Sequence, residues 1–189
     1  MSRLASVDEA LAMLAQHRIA PPVEMVPLGD ALGRTLAVDI TARVTLPPHD
    51  ASAMDGYAVR IQDVAQAGSV LRVIGEAPAG RPFAGTVESG EAVRIFTGSA
   101  IPEGADHVLI QEHVQRDGDS LTTTEAEPKA RHIRHAGIDF RTGTRLLPAG
   151  KVLGPAEIAV AAAADHATLP VHKRLCVAIL ANGDELRAP

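Results

Sequence analysis

The segment Leu46-Pro-Pro-His-Asp-Ala-Ser-Ala-Met-Asp-Gly-Tyr-Ala-Val59 crowds Asp50, Ser52 and Asp55 into six positions. Two prolines set an extended approach, and Asp55-Gly56 turns the chain before the apolar run that starts at Tyr57. A carboxylate held on such a turn can meet a metal-bound or phosphorylated ligand. The same residues also suit a plain turn with Ser52 as a cap. A second segment, Phe96-Thr-Gly-Ser-Ala-Ile-Pro-Glu-Gly104, reads as a strand followed by a glycine-containing loop. Backbone N–H groups in such a loop can form an anion-binding concavity, with the Thr97 hydroxyl as a further donor. No Gly-Lys-Ser/Thr follows, so it is not a P-loop, and an ordinary loop is the alternative.

Positive charge gathers in a third place. Lys129–Arg145 holds five Lys or Arg, His132, His135 and a single acid, Asp139. On a chain of net charge −5 this concentration suggests an attracted anion. A small oxyanion or phosphorylated metabolite suits it better than a polymer; a solvated charged face is the alternative. His132 and His135 are three apart, but the stretch does not read as helix and the other histidines are scattered, so a zinc site is not expected. Cys176 falls in an apolar run and is expected to be a buried, inert thiol. Ser99 lacks the Gly-x-Ser-x-Gly elbow of a serine hydrolase.

These residues need elements to position them. Ser6 and Glu9 make a capping-box pair, and Val7, Leu11 and Leu14 follow at helical spacing, which predicts an amphipathic helix over 6–17. A short helix is expected over 30–37 with Asp30 as its N-cap, then a strand over 40–44. From Leu46 the texture becomes β: runs at 57–61, 70–74, 92–96, 108–115 and 121–124, with Gly118-Asp119 as a hairpin turn. A small β-domain or barrel across about 46–143 follows. Gly154-Pro155 and the alanines after it predict a helix. The simplest arrangement is a helical unit interrupted by a β insertion. Leu175–Leu180 is apolar throughout, as in a strand buried on both faces of a parallel sheet. Its acidic follow-on at 181–186 resembles a loop at a strand's carboxyl end. The expectation is that the chain ends just inside a further α/β domain, with an edge strand on the helical unit as the alternative.

The 189 residues suffice for one or two domains. No apolar run approaches a membrane span, charged residues within the first eight positions argue against a signal peptide, and one cysteine rules out a disulfide framework. Trp is absent and only one Tyr and three Phe occur, which argues against a nucleic-acid platform. A cytoplasmic protein without membrane or nucleic-acid partners is expected.

Pro48-His-Asp-Ala-Ser-Ala-Met-Asp-Gly-Tyr-Ala-Val-Arg60 resembles the hallmark segment of the MoeA family of molybdopterin molybdenumtransferases, related to the E domain of gephyrin. Arg94–Asp106, Val108–Glu112, Ile133–Asp139 and Val177–Leu186 are similar to further family segments, in the same order. The resemblance implies an α+β fold: a helical dimerisation domain (1–45 and 144–174), an inserted β lid (46–143), and at 175–189 the start of a truncated Rossmann-like molybdopterin-binding domain. It implies a homodimer that takes adenylylated molybdopterin and molybdate, releases AMP, and uses Mg²⁺. The molybdopterin adenylyltransferase is the implied partner protein. By motif, Asp55, Thr97, Asp139 and Glu185 fall on the catalytic positions, with Ser52 and Gly98 as cofactor-binding candidates. Two departures stand out: Asn182 replaces the last motif's usual threonine, and Ile138 replaces a carboxylate before Asp139. With one wall of the cleft missing, the chain alone is expected to be inactive. A non-catalytic anion-binding or scaffolding module of the same fold is the competing function.

Overall fold

The computed structural model describes residues 5–17 and 20–179. In chain order its regular elements are α1 (Val7–Gln16), β1 (Val23–Pro27), β2 (Ile40–Thr41), β3 (Ala51–Ser52), β4 (Gly56–Val59), β5 (Val70–Ala77), β6 (Glu91–Ile95) and β7 (His107–Ile110). Then come β8 (Val114–Asp117), β9 (Ser120–Thr123), β10 (Ile133–Arg134), β11 (Arg145–Leu147), α2 (Pro155–Ala163) and β12 (Thr168–His172). The chain is mostly β with two helices. It divides into two compact units, one built from residues 1–40 and 145–189 and the other from 41–144.

The first unit is mixed rather than helical. Ser6 caps α1 through its hydroxyl, which accepts from Glu9 N–H at 3.2 Å, while Glu9 Oε2 accepts from Ser6 N–H at 2.8 Å. The helix forms where its local caps predict, yet Val7, Leu11, Met13 and Leu14 all stand exposed. β1 and β12 pair antiparallel, from Val23 opposite His172 to Pro27 opposite Thr168. The core joins Val26, Leu169 and Val171 of this pair to Leu36, Leu153 and Ala161. Gly154 precedes α2, with Pro155 at the first helical position and Glu157 Oε2 accepting from Gly154 N–H at 2.9 Å.

In the second unit six strands form one mixed sheet in the order β7-β4-β6-β5-β9-β8. Only β5 and β6 are parallel. Alternation divides neighbouring side chains between two cores. Tyr57, Val59, Ala92, Leu109 and Leu121 enter one, and Ala58, Val93, Ile95 and Val108 enter the other. Such two-faced burial explains why β4 is apolar throughout. Gly56 sits where β4 meets β7: a Cβ there would lie 2.1 Å from the Leu109 carbonyl oxygen, so no side chain fits.

Several expectations are corrected. Residues 30–37 form no α-helix; a 3-10 turn at Leu28–Asp30 is all that appears. Gly33 is left-handed at φ 72°, and the backbone bonds distant residues instead, with Gly33 N–H on the Leu153 carbonyl at 2.8 Å and Leu36 N–H on that of Lys151 at 2.9 Å. The strand expected at 40–44 is only Ile40–Thr41. That expected at 108–115 is broken by a 3-10 turn at Gln111–His113, because β7 pairs with β4 while β8 pairs with β9. No strand forms over 175–179, where Leu175, Val177 and Ile179 are exposed. A run buried on both faces needs a strand on each side, and the described residues supply none. Cys176 is exposed, not buried.

Candidate functional site

Three stretches of the second unit are laced together by backbone bonds. Pro47 follows a cis peptide bond. Leu46 N–H donates to the Phe140 carbonyl at 2.9 Å, and Gly137 N–H to that of Pro47 at 2.9 Å. β3 pairs antiparallel with β10, Ser52 opposite Ile133 and Ala51 opposite Arg134. Ser52 N–H donates to the Ser99 carbonyl at 2.9 Å, and Gly98 N–H returns to the Ser52 carbonyl at 2.9 Å. Between these stretches lies a hollow of about 370 Å³, lined among others by Pro47, His49, Ser52, Thr97, Gly98, Arg134 and Asp139.

Thr97 and Asp139 therefore face one hollow, with Ser52 and Gly98 beside them. Asp55 does not line it. It stands behind Thr97, and its Oδ1 accepts from both Thr97 N–H and the Thr97 hydroxyl, each at 2.8 Å. The Thr97 amide hydrogen bond, then the hydroxyl one, then the Arg94 charge hold the Asp55 carboxyl below the usual carboxylate range. Ser52 is buried, and its hydroxyl donates to the Met54 carbonyl within its own turn. Asp139 faces Arg134, whose Nη2 lies 3.2 and 3.3 Å from the two carboxylate oxygens. Glu185, like Asn182, lies outside the described residues.

At Thr97–Ser99 the stretch after β6 is an ordinary loop and not an amide cradle. Thr97, Gly98 and Ser99 N–H donate to Asp55, Ser52 and Phe96 respectively, so none of these three is left for an anion. Four of the five cations of the basic run are engaged locally. Arg131 pairs with Glu127, Arg134 with Asp139, and Arg145 with Asp39, while Arg141 donates to the Ala136 carbonyl. Of this run, Arg134 is the guanidinium that lines the hollow. Sequence reasoning singled out the run and not this member; the pairing of β10 with β3 makes the difference.

Asp50, at the same site, accepts from Ala136 N–H at 2.8 Å and contacts His135 Nδ1 at 2.9 Å. Those bonds, the amide one first, hold its carboxyl low. Elsewhere in the same unit, Glu127 is only 1% exposed. Burial pushes its carboxyl up, but the bonds from Arg131 and His113 outweigh that and keep it below its ordinary value.

Among the described residues no three His, Cys, Asp or Glu gather closely enough to hold a metal ion. Asp55 turns Oδ1 to Thr97, and Asp139 turns both carboxylate oxygens to Arg134.

The family model described as "MoeA N-terminal region (domain I and II)" matches residues 5–164. Curated relatives named molybdopterin molybdenumtransferase include one from a Nostoc species, 39% identical over 86% of this chain and 38% of its own length. Another, from Haemophilus influenzae, is 38% identical over 96% of this chain and 45% of its own. A molybdopterin molybdenumtransferase 2 from Mycobacterium tuberculosis is 37% identical over 97% and 46%. The crystal structure of a molybdopterin biosynthesis MoeA protein from Pyrococcus horikoshii superposes with a TM-score of 0.82 at 36% identity, covering 90% of this chain and 46% of that one. The chain thus spans less than half the length of these relatives. A match running through the hallmark segment, the Thr97 loop and β10 alike covers every stretch that walls the hollow, and the chain belongs to the MoeA family.

Proposed function

We propose that this chain serves molybdenum cofactor biosynthesis as the N-terminal portion of a molybdopterin molybdenumtransferase. Molybdenum from molybdate is joined to the dithiolene of adenylylated molybdopterin, and AMP leaves. The reading draws on the names of the relatives and on one observation: Thr97 and Arg134 share a hollow, each backed by a carboxylate. Arg134 offers a planar donor fork to a molybdate or phosphate oxygen, and such charge-assisted bonds are the strong ones. Its exposed tie to Asp139 is weak enough for an oxyanion to replace. Because the Thr97 hydrogen goes to Asp55, its hydroxyl presents lone pairs to the hollow and accepts from an N–H or O–H of the ligand. Asp55 fixes that direction for as long as it is ionised.

On this reading the chain alone is inactive, since positioned groups are needed on both sides of the reacting centre. A homodimer, a cytoplasmic location and an adenylyltransferase that hands on the adenylylated substrate belong to the same proposal. The test is complementation of a strain lacking molybdenum transfer with the gene carried to its natural stop codon, read as molybdoenzyme activity. The gene restores activity, and Asp55→Asn lowers it on the order of 100-fold. The 189-residue chain alone restores none. A gene that fails while its protein accumulates, or an Asp55→Asn variant of full activity, overturns the reading.

A further inference from the structure

Beside the Asp55–Thr97 pair lies the guanidinium of Arg94. Arg94 stands on β6 opposite Tyr57 of β4. Its Nη1 donates to the Gly56 carbonyl at 2.9 Å and its Nη2 to Gln111 Oε1 at 2.8 Å. Its Cζ lies 5.2 Å from the Tyr57 ring centroid and 4.8 Å from that of Phe96. Three of these neighbours are one step from the pair. Gly56 follows Asp55 in the chain, Phe96 precedes Thr97, and Gln111 N–H donates to the Asp55 carbonyl at 3.3 Å.

We infer that Arg94 is a positioning residue for the Asp55–Thr97 pair, clamping the start of β4 to the end of β6 so that one carboxylate oxygen takes both Thr97 hydrogens. The two acceptors of Arg94 are neutral, a carbonyl and an amide oxygen, so its planar fork and stacking surface matter along with its charge. A lysine keeps the charge but loses the fork and most of the stacking. The bearing of this clamp on catalysis rests on the function proposed above; the clamp itself does not.

The test reads the pair directly. In the isotopically labelled 189-residue chain, NMR follows the Asp55 carboxyl titration and the Thr97 amide proton. Arg94→Met moves the Asp55 midpoint upward and the Thr97 amide upfield, and Arg94→Lys recovers part of both shifts. Arg72→Met, which breaks the exposed Arg72–Glu91 pair on the same sheet, moves neither. Gln111→Ala, which removes one acceptor, shifts the Thr97 amide in the same direction and keeps the test open should Arg94→Met not fold. In the complete gene Arg94→Met lowers cofactor synthesis by on the order of 10- to 100-fold, and Arg94→Lys restores part of it. An Arg94→Met chain that melts earlier while Asp55 and Thr97 titrate as in the parent overturns the inference. Failure of the parent gene to complement would instead strike the proposed function and leave the NMR result standing.

Discussion

Protonating Asp50 weakens an acceptor that Ala136 N–H and His135 share. Its folded-state pKa is depressed, so the stabilisation it gives is present above the unfolded carboxylate value of about 3.9 and is lost as pH falls through the lower folded value. Asp50→Asn therefore flattens the acid limb of the melting temperature against pH, as differential scanning calorimetry will show. His107 has the same sign for a different reason. Burial disfavours its charged form, against an opposing pull from Glu127, and the pKa falls. Its Nδ1 accepts from Arg131 N–H at 3.0 Å, and its Nε2 has no partner among the described residues. Stability is then full above the unfolded histidine value of about 6.5 and declines as pH falls toward the folded one. His107→Gln removes that component from the same pH series. The types of Asp55, Thr97 and Asp139 marked them as chemically capable in the sequence. Which hydrogen goes to which oxygen was not legible, because it depends on Gly56 lying opposite Ile95 across two strands distant in the chain.

The Asp55 turn runs straight into a strand that tolerates no bulk. Gly56→Ala would push β4 off β7, where the added carbon meets the Leu109 carbonyl. Overpacking of that kind costs about 3 kcal/mol, measurable by urea denaturation. α1 offers the opposite case. Loss of its cap in Ser6→Ala costs the helix about 1 kcal/mol. No residue of α1 is buried, so amide exchange in its first turn quickens while the global unfolding midpoint stays put. Elements whose determinants are local were legible. α1 and α2 carry their caps within four residues, and the β8–β9 hairpin turns at Gly118-Asp119. The missing helix at 30–37 was not legible, since its amide hydrogens are claimed by the 151–153 stretch far along the chain.

Across the whole molecule the hydrophobic texture marked out the β-rich stretch, but not the strand order of its sheet, which joins β5 to β6 in parallel and sends β8 away from β7. The charge count over 129–145 overstated the free positive charge, because folding brings Glu127, Asp139 and Asp39 to Arg131, Arg134 and Arg145. Residues 41–144 form a unit with its own cores, and its ends meet. Ala42 N–H donates to the Thr144 carbonyl and Gly143 N–H to that of Ala42, each at 2.8 Å. Expressed alone, residues 41–144 should unfold in one cooperative transition, checked by coincidence of circular dichroism and NMR melts. The scarcity of aromatic residues has a further consequence. Tyr57 is the sole tyrosine, tryptophan is absent, and the ring is buried against Arg94. Light absorbed at 280 nm is therefore re-emitted from one place, beside the clamp, and the unlabelled protein carries its own optical reporter of anything that disturbs the Asp55 turn.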